Sequence, residues 1–280
     1  VRERRSVGED RMSEDAQGAP DGANGTRAPG DVARRGKLTE FRLAAGFLTI
    51  LPILPRAVVA PEALAASFGW FPLVGFALGA ILAAENLLLT PLFGDALAAV
   101  VLVLTLTVLT GAVHVDALAD TADALGAGSD RRRALEIMRD SWIGSFGTVA
   151  IFFFLALEIV ALATMGEARR TLALWLAPGL ARCAMVAVGW RIEYLRAEGA
   201  GTLLVGPGGD RNLALAGALA ALAALPILSW RVLLAYVVAV ALAAVLRAAY
   251  RRWLGGVTGD LLGAAGELVE LAVLLVLAVI

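Results

Sequence analysis

The sequence predicts an all-α fold, a polytopic helical bundle that crosses a lipid bilayer several times. Of its 280 residues, 59% are hydrophobic, and the mean hydropathy is +0.78, whereas about 45–50% of the residues of a soluble domain are apolar. Several apolar runs approach the roughly 20 residues that a helix needs to cross a bilayer. Strand-period alternation of apolar and polar residues is absent, which argues against a membrane β-barrel.

Residues 1–37 differ in composition from the rest of the chain. They are charged, rich in Gly and Pro, and nearly free of large apolar side chains. Such a segment cannot bury enough apolar surface to offset the entropy lost on ordering, so a disordered tail is predicted. Residues 38–280 are predicted to form a single membrane-embedded domain.

This domain is predicted to begin with a short segment that does not cross the bilayer. Residues 41–55 are apolar, but Pro52 and Pro55 would break a spanning helix, which favours a re-entrant or interfacial segment. About seven crossings follow, at residues 68–89, 96–113, 148–165, 171–190, 213–229, 232–250 and 261–280.

The distribution of arginine predicts the orientation of the bundle. If residues 41–55 do not cross, the loops at 114–147, 191–212 and 251–260 share one side with the N-terminus. These loops hold most of the loop arginines, namely Arg131, Arg132, Arg133, Arg139, Arg191, Arg196, Arg211, Arg251 and Arg252, against Arg169, Arg170 and Arg231 on the other side. Excess positive charge marks the cytoplasmic side, so the N-terminus and the three loops are predicted to be cytoplasmic.

Charge and residue counts exclude several classes of site. The net charge of −1 gives no indication of a nucleic-acid partner. The single cysteine, Cys183, cannot form a disulfide within the chain, and the single histidine, His114, excludes a multi-histidine metal site.

The first polar loop carries carboxylates at helical spacing. On a helix, Asp116, Asp120 and Asp123 fall within roughly 60° of one another. The opposite side is apolar, with Val115, Leu118, Ala122 and Leu125. An amphipathic helix with an acidic stripe is therefore predicted. A second helix, capped by Ser129 or Asp130, is predicted to carry Glu136, Arg139 and Asp140.

Two interpretations of the acidic stripe stay open from spacing alone. Three like charges repel one another, and a divalent cation such as Mg²⁺ or Mn²⁺ would remove the conflict through hard oxygen ligands. Alternatively, the acids only face water on a solvated loop helix.

Other polar residues allow similar pairs of interpretations. Glu267 and Glu270 lie in the last span, either as an extension of the acidic site or as interfacial acids. Asp260 is either the N-cap of that span or a further ligand or base. Arg196, in a glycine-rich loop, suits phosphate recognition but is equally consistent with a solvated positive charge.

Long motifs at both ends of the membrane domain resemble one known family. Residues 114–147 read HVDALADTADALGAGSDRRRALEIMRDSWIGSFG, and residues 254–270 read LGGVTGDLLGAAGELVE. Together with FLTILPILP at 47–55 and YLRAEGAG at 194–201, they resemble bacterial cobalamin synthase, the adenosylcobinamide-GDP ribazoletransferase family. The resemblance covers about residues 41–280. Ala117 and Ala124 stand where the family pattern usually has Gly.

The resemblance implies an integral enzyme of the cell inner membrane that acts late in vitamin B12 biosynthesis. Such enzymes join adenosylcobinamide-GDP to α-ribazole, or to its 5′-phosphate, giving adenosylcobalamin, or its 5′-phosphate, and GMP with Mg²⁺ as cofactor. The resemblance also gives the acids a role, because metal ions stabilise the charge that develops when a pyrophosphate is cleaved. A homo-oligomer is compatible with this interpretation.

Residue roles follow from the resemblance as hypotheses. Asp116, Asp120 and Asp123 are expected to hold one or two Mg²⁺, with Asp140 and Asp260 as further ligands. One of these five carboxylates is expected to accept the proton of the ribazole hydroxyl, and the sequence does not distinguish among them. Arg139 is expected to steady the pyrophosphate, and His114 to bond to substrate or to a neighbouring carboxylate. The expected substrate contacts are His114, Glu136, Arg139, Ser141, Arg196, Glu267 and Glu270.

Two other classes of protein have related features. CDP-alcohol phosphotransferases and prenyltransferases also hold Mg²⁺ on clustered aspartates at a membrane face, but their usual spacings differ from the D-x-x-x-D-x-x-D found here. A secondary transporter would carry its acids at the middle of spans, whereas most acids here fall in loops.

Overall fold

The fold is an all-helical bundle, as the sequence predicts. The structure is a computed structural model that describes residues 36–54, 59–197, 201–206 and 208–280. The predicted tail, residues 1–37, lies almost entirely outside the described residues. The α-helices are α1 Lys37–Leu48, α2 Pro61–Ser67, α3 Phe71–Leu109, α4 Val113–Leu125, α5 Arg131–Ile137, α6 Ser145–Thr164, α7 Glu167–Gly189, α8 Gly201–Leu204, α9 Gly209–Ala224, α10 Trp230–Trp253 and α11 Gly259–Val279.

Six helical runs in the described part of the chain are long and apolar enough to cross a membrane. They are Pro61–Leu109, Ser145–Thr164, Glu167–Gly189, Gly209–Ile227, Trp230–Trp253 and Gly259–Val279. The prediction of a polytopic membrane bundle is thereby confirmed. The sequence predicts about seven crossings because it divides the first run into two.

The first run is a hairpin rather than one straight rod. At Gly94 the backbone leaves helical geometry, with φ 74° and ψ 170°. The Thr105 hydroxyl donates to Glu85 Oε1 over 2.8 Å, although twenty residues of straight helix would separate the two by roughly 30 Å. The arms 71–93 and 95–109 therefore lie side by side and correspond to the first two predicted spans.

The N-terminal segment turns back on itself. Helix α1 has 12 residues, so it is about 18 Å long and too short to cross a bilayer. After it the chain turns back along α1, as shown by the hydrogen bond that Arg42 Nε donates to the carbonyl of Ile53 over 2.9 Å. The amide of Ile50 then bonds to the carbonyl of Leu109, 2.9 Å away. Over residues 41–54 this geometry agrees with the prediction that the segment 41–55 does not form a full crossing, and Pro55 lies outside the described residues.

Helices α7 and α11 form the centre of the bundle. In the most apolar stretch of each, 78% and 61% of the residues are buried, against 17–28% in the other candidate spans. The outer helices expose aliphatic and aromatic side chains, as expected for surfaces that face lipid. The buried faces of α7 and α11 therefore position the polar groups that enter the bundle.

Candidate active site at one end of the bundle

The three polar loops meet at one end of the bundle. Arg196 forms an ion pair with Asp260, and its Nη2 also donates to the carbonyl of Met138 over 3.0 Å. Residues 193–195 pair with Val257 through two backbone hydrogen bonds of 2.8 Å. The indole of Trp253 donates to the carbonyl of Gly128 over 3.0 Å. Segments far apart in the sequence therefore enclose one region.

A cavity of about 250 Å³ opens in this region, between α4, α11 and the loop that follows α7. Its polar lining includes His114 and Asp116 from α4, Tyr194 and Arg196 from the loop, and Asp260 from α11. Its apolar and glycine lining consists of Phe47, Phe68, Phe71, Val113, Ala117, Met185, Gly201, Leu204, Gly259, Leu262 and Gly263. Of the predicted site residues, the structure brings His114, Asp116, Arg196 and Asp260 to this cavity.

Helix α4 carries the predicted acidic stripe. It starts after a sharp turn in which Gly111 and Ala112 both have positive φ, 63° and 58°. Val115 and Leu118 are buried in a small core with Phe154 and Ala264, which anchors the apolar face on α6 and α11. Asp116 is exposed and Asp120 is half-buried. The amphipathic pattern predicted from the sequence therefore orients the acids towards the polar end of the site.

Asp120 lies within a repulsive field of carboxylates. Burial, together with the charges of the neighbouring Asp116 and Asp260, raises its pKa to about 7, although Arg196 opposes the shift. A carboxyl group in this condition is only partly ionised near neutral pH. A cation bound beside it would therefore be favoured, because it would stabilise the ionised form.

Both carboxylate oxygens of Asp123 accept hydrogen bonds from the N-terminal end of α6. Oδ2 accepts from the amide of Gly144 over 2.7 Å and Oδ1 from the amide of Gly147 over 2.9 Å. These amides belong to the unpaired first turn of α6, which needs acceptors. A Cβ at Gly144 or Gly147 would collide with this carboxylate. The geometry gives Asp123 a capping role, and its role as a metal ligand stays a prediction.

His114 is buried on the inner side of α4. Burial, aided by the nearby charge of Arg182, lowers its pKa to about 3, so the imidazole is neutral at pH 7. Its Nδ1 is buried and has no hydrogen-bond partner among the described residues. A neutral imidazole with a free nitrogen can bond to a bound substrate, as predicted.

Six predicted residues of the first loop do not line the cavity: Asp120 and Asp123, described above, and Glu136, Arg139, Asp140 and Ser141. Glu136 pairs with Arg132 on its own helix, at 3.1 Å, and Arg139 and Ser141 are exposed. Asp140 is also exposed and accepts from the amide of Trp142 over 3.2 Å. Their predicted contacts with substrate or metal stay predictions.

The two acids of the last span lie inside the bundle rather than at its surface. Glu270 is buried and pairs with the buried Arg182 over 2.5 Å. Glu267 is also buried and lies within electrostatic range of the same arginine. Neither acid lines the cavity, so they form a charged layer beneath it.

Several residues in and near the site are not among those predicted from the sequence. Arg182 is the only charged residue in the apolar part of α7, residues 171–189. Because burying an unpaired charge is costly, such a residue predicts an oppositely charged partner nearby. Tyr194 and the phenylalanines Phe47, Phe68 and Phe71 carry no such signal, because burying an aromatic ring has no comparable cost. Only the folded chain brings them to one cavity.

The donor set is compatible with Mg²⁺ without a preformed cage. Among the described residues, no three carboxylate, imidazole or thiolate side chains converge into a metal-binding group. Mg²⁺ is usually held by one or two carboxylates together with substrate phosphates. Asp116 and Asp120, one helical turn apart, fit that pattern.

The fold and the site define an integral membrane protein with an acidic, phosphate-suited cavity at one end of its helical bundle. Comparison with known proteins gives the family. The family model described as cobalamin-5-phosphate synthase matches residues 40–278. This chain belongs to the cobalamin-5-phosphate synthase family.

Relatives match over nearly their whole length. A protein of Syntrophobacter fumaroxidans named adenosylcobinamide-GDP ribazoletransferase is 40% identical over 239 residues, covering 84% of this chain and 96% of the relative. Relatives of the same name from Klebsiella pneumoniae strain 342 and Pseudomonas syringae pv. syringae are 37% and 39% identical, covering 86% of this chain and 99% of each relative. No solved structure matches the chain.

Proposed function

We propose that this protein is an adenosylcobinamide-GDP ribazoletransferase. It transfers the adenosylcobinamide phosphate group to α-ribazole, or to α-ribazole 5′-phosphate, giving adenosylcobalamin, or its 5′-phosphate, and GMP. Family membership and the names of the relatives support this reaction. The structural observation that carries it is the meeting of Asp116, Arg196 and Asp260 at one cavity.

The reaction replaces a phosphoanhydride bond of the donor with a phosphate ester bond to the acceptor. A ribose hydroxyl oxygen of the acceptor forms a bond to the phosphorus that carries the cobinamide, and the bond from that phosphorus to the bridging pyrophosphate oxygen breaks. GMP leaves with the bond electrons, and the hydroxyl proton passes to a carboxylate of the site. The protein must therefore bind two substrates, stabilise phosphate charge and accept one proton.

The residues of the cavity match these tasks. Arg196 is positioned by Asp260 and by the Met138 carbonyl, and its planar fork suits a phosphate. His114 is buried in neutral form, so it orients a substrate group by hydrogen bonding without adding charge. Asp116 of α4 lines the same cavity, and Asp120 lies about one helical turn further along α4.

Asp116 and Asp120 would hold Mg²⁺ together with the substrate pyrophosphate. When bound, the ion would neutralise charge on the phosphoryl oxygens and on the departing phosphate. The raised pKa of Asp120 supports this assignment, because burial and the neighbouring carboxylates both disfavour its ionised form, which a bound cation would stabilise.

The orientation inferred from the arginines completes the proposal. The N-terminus and the loops of the site face the cytoplasm, and the bundle lies in the cell inner membrane. The polar substrates would then reach the cavity from the aqueous side.

The metal assignment is tested by titrating Mg²⁺ in a turnover assay. Asp120→Asn is expected to lower kcat/KM at limiting Mg²⁺ by roughly 100-fold or more, because it removes a charged ligand. The matched control is Asp130→Asn, an exposed N-cap of α5 where asparagine caps equally well. Full activity of Asp120→Asn at limiting Mg²⁺ would show that the ligand assignment is wrong.

A further inference from the structure

The cavity has an aromatic floor beneath its polar mouth. The rings of Phe68 and Phe71 pack edge to face, with centroids 4.9 Å apart, and both residues are buried. Phe47 stacks on Phe71, with centroids 5.7 Å apart and an interplanar angle of 28°, yet 42% of Phe47 remains exposed. Because Phe47 lines the cavity, a flat aromatic surface is available to a ligand there.

The floor offers a bound group few polar partners. The buried residues among those that line the cavity are Phe68, Phe71, His114, Ala117, Met185, Leu204, Leu262 and Gly263. His114 alone among them carries a polar side chain, and its Nδ1 has no partner within the described part of the chain. The other polar residues of the lining are exposed or half-buried and belong to the mouth, namely Asp116, Tyr194, Arg196 and Asp260.

We propose that the aromatic floor binds the benzimidazole base of the acceptor α-ribazole and leaves its ribose at the mouth, beside Asp116 and Arg196. This inference rests on the proposed function and adds the place and orientation of one substrate. A substituted benzimidazole attached to ribose has one remaining ring nitrogen with a free lone pair. His114 is the one polar side chain among the buried residues of the lining, and a ring N–H of its imidazole can donate to this lone pair.

The other flat groups of the two substrates fit the floor less well. Guanine carries several hydrogen-bond donors and acceptors on its edge, and burying them unpaired is costly. The corrin macrocycle is too large, since about 250 Å³ lies below the range of about 300–1,000 Å³ that holds drug-sized ligands. Adenosylcobinamide-GDP would therefore approach the mouth from outside, with its pyrophosphate beside Arg196.

The test measures the KM of each substrate separately in reconstituted full-length protein. Phe47→Leu keeps an apolar side chain but removes the flat ring. It is expected to raise the KM for α-ribazole by roughly 5- to 150-fold, the range for loss of one base-stacking contact. The KM for adenosylcobinamide-GDP and kcat should stay within about twofold. Phe47→Trp, which keeps an aromatic face, should retain most of the affinity.

The matched control is Phe93→Leu, because Phe93 is 52% exposed and lies at the hairpin turn beside Gly94, outside the cavity lining. It should leave both KM values unchanged. Free 5,6-dimethylbenzimidazole should compete with α-ribazole in the unaltered protein and lose this effect in Phe47→Leu, whereas guanosine should not compete with α-ribazole.

Two results would overturn the inference: an unchanged KM for α-ribazole in Phe47→Leu, or a rise confined to adenosylcobinamide-GDP. Failure of the proposed function is distinguishable, because unaltered protein would then form no product. In that case the aromatic subsite is tested by the equilibrium binding of α-ribazole, measured through the fluorescence of α-ribazole. Binding that Phe47→Leu weakens upholds the aromatic subsite, and absence of binding refutes it.

Discussion

Three aspartates on one face of α4 have different surroundings in the folded chain. Asp116 is exposed at the mouth of the cavity, Asp120 is half-buried among like charges, and Asp123 holds the first turn of α6. Helical periodicity predicts that all three share a face. It cannot predict their partners, because the amides of Gly144 and Gly147 reach Asp123 only through the path of the intervening loop.

These surroundings predict that substitutions at Asp116 and Asp123 have different effects. Asp123→Asn loses one of two accepting oxygens at a helix N-terminus, so the free energy of unfolding should fall by about 1 kcal/mol or more. Asp116→Asn is exposed and should leave stability unchanged while removing most of the activity. Thermal unfolding in detergent and turnover, measured on the same preparations, separate the two effects. Equal stability of the two variants would argue against the capping role.

At the residue scale, the sequence predicts part of the polar lining of the cavity but not its aromatic lining. His114, Asp116, Arg196 and Asp260 are all predicted site residues, and all line the cavity. Phe47 is not predicted, because its place there depends on how the N-terminal segment turns back. The burial of Glu270 against Arg182 is likewise a contact between helices, and no local pattern encodes it.

At the scale of the helices, the close approach of α4 and α11 brings Asp116 and Asp260 to the same cavity. Gly263 on α11 faces Ala117 on α4, and a Cβ added at Gly263 would lie 2.6 Å from the Ala117 methyl group. Ala117 stands where the resembled family pattern usually has Gly. In this chain the absence of a side chain at Gly263 accommodates that methyl group.

This packing predicts a compensating pair of substitutions. Gly263→Ala should overpack the interface and destabilise the protein by about 1–3 kcal/mol, with a parallel loss of activity as Asp116 and Asp260 separate. The double variant Ala117→Gly with Gly263→Ala moves the methyl group to the other helix and should recover most of both. A double-mutant cycle of unfolding free energies measures the coupling. Strictly additive effects would contradict the contact.

The composition of each span predicts roughly where its helix lies, and the observed helix ends differ from the predicted ones for local reasons. Helix α7 begins at Glu167 and α10 runs from Trp230 to Trp253, both beyond the predicted apolar cores, because helices continue into polar ends. Helix α9 ends at Ala224, short of the predicted 229, because Pro226 cannot continue the α-helical hydrogen bonds. Hydropathy alone records neither effect.

At the scale of the whole molecule, the polar loops gather at one end of the bundle and the short turns lie at the other. At the far end, the buried Arg170 bonds to Asn86 and Asp95 beside the hairpin turn, at 2.7 and 2.6 Å. The alternation of apolar spans predicts this separation of loops. The inferred orientation adds that the end with the cavity faces the cytoplasm.

Labelling with a membrane-impermeant thiol reagent tests the orientation. In a Cys183→Ala background, Ser129→Cys and Glu167→Cys add one exposed thiol at each end of the bundle. In intact cells Glu167→Cys should react, and Ser129→Cys should react only after the membrane is permeabilised. The Cys183→Ala chain without an added cysteine provides the background. The reverse pattern of labelling would invert the orientation.

Product formation tests the central proposal most directly. The reconstituted protein would be incubated with adenosylcobinamide-GDP, α-ribazole and Mg²⁺, and the products identified by mass spectrometry. We predict equal amounts of adenosylcobalamin and GMP, formed only when divalent metal is present and lost in Asp116→Ala. A folded, reconstituted protein that forms neither product, or that forms them equally well with Asp116→Ala, would contradict the proposal.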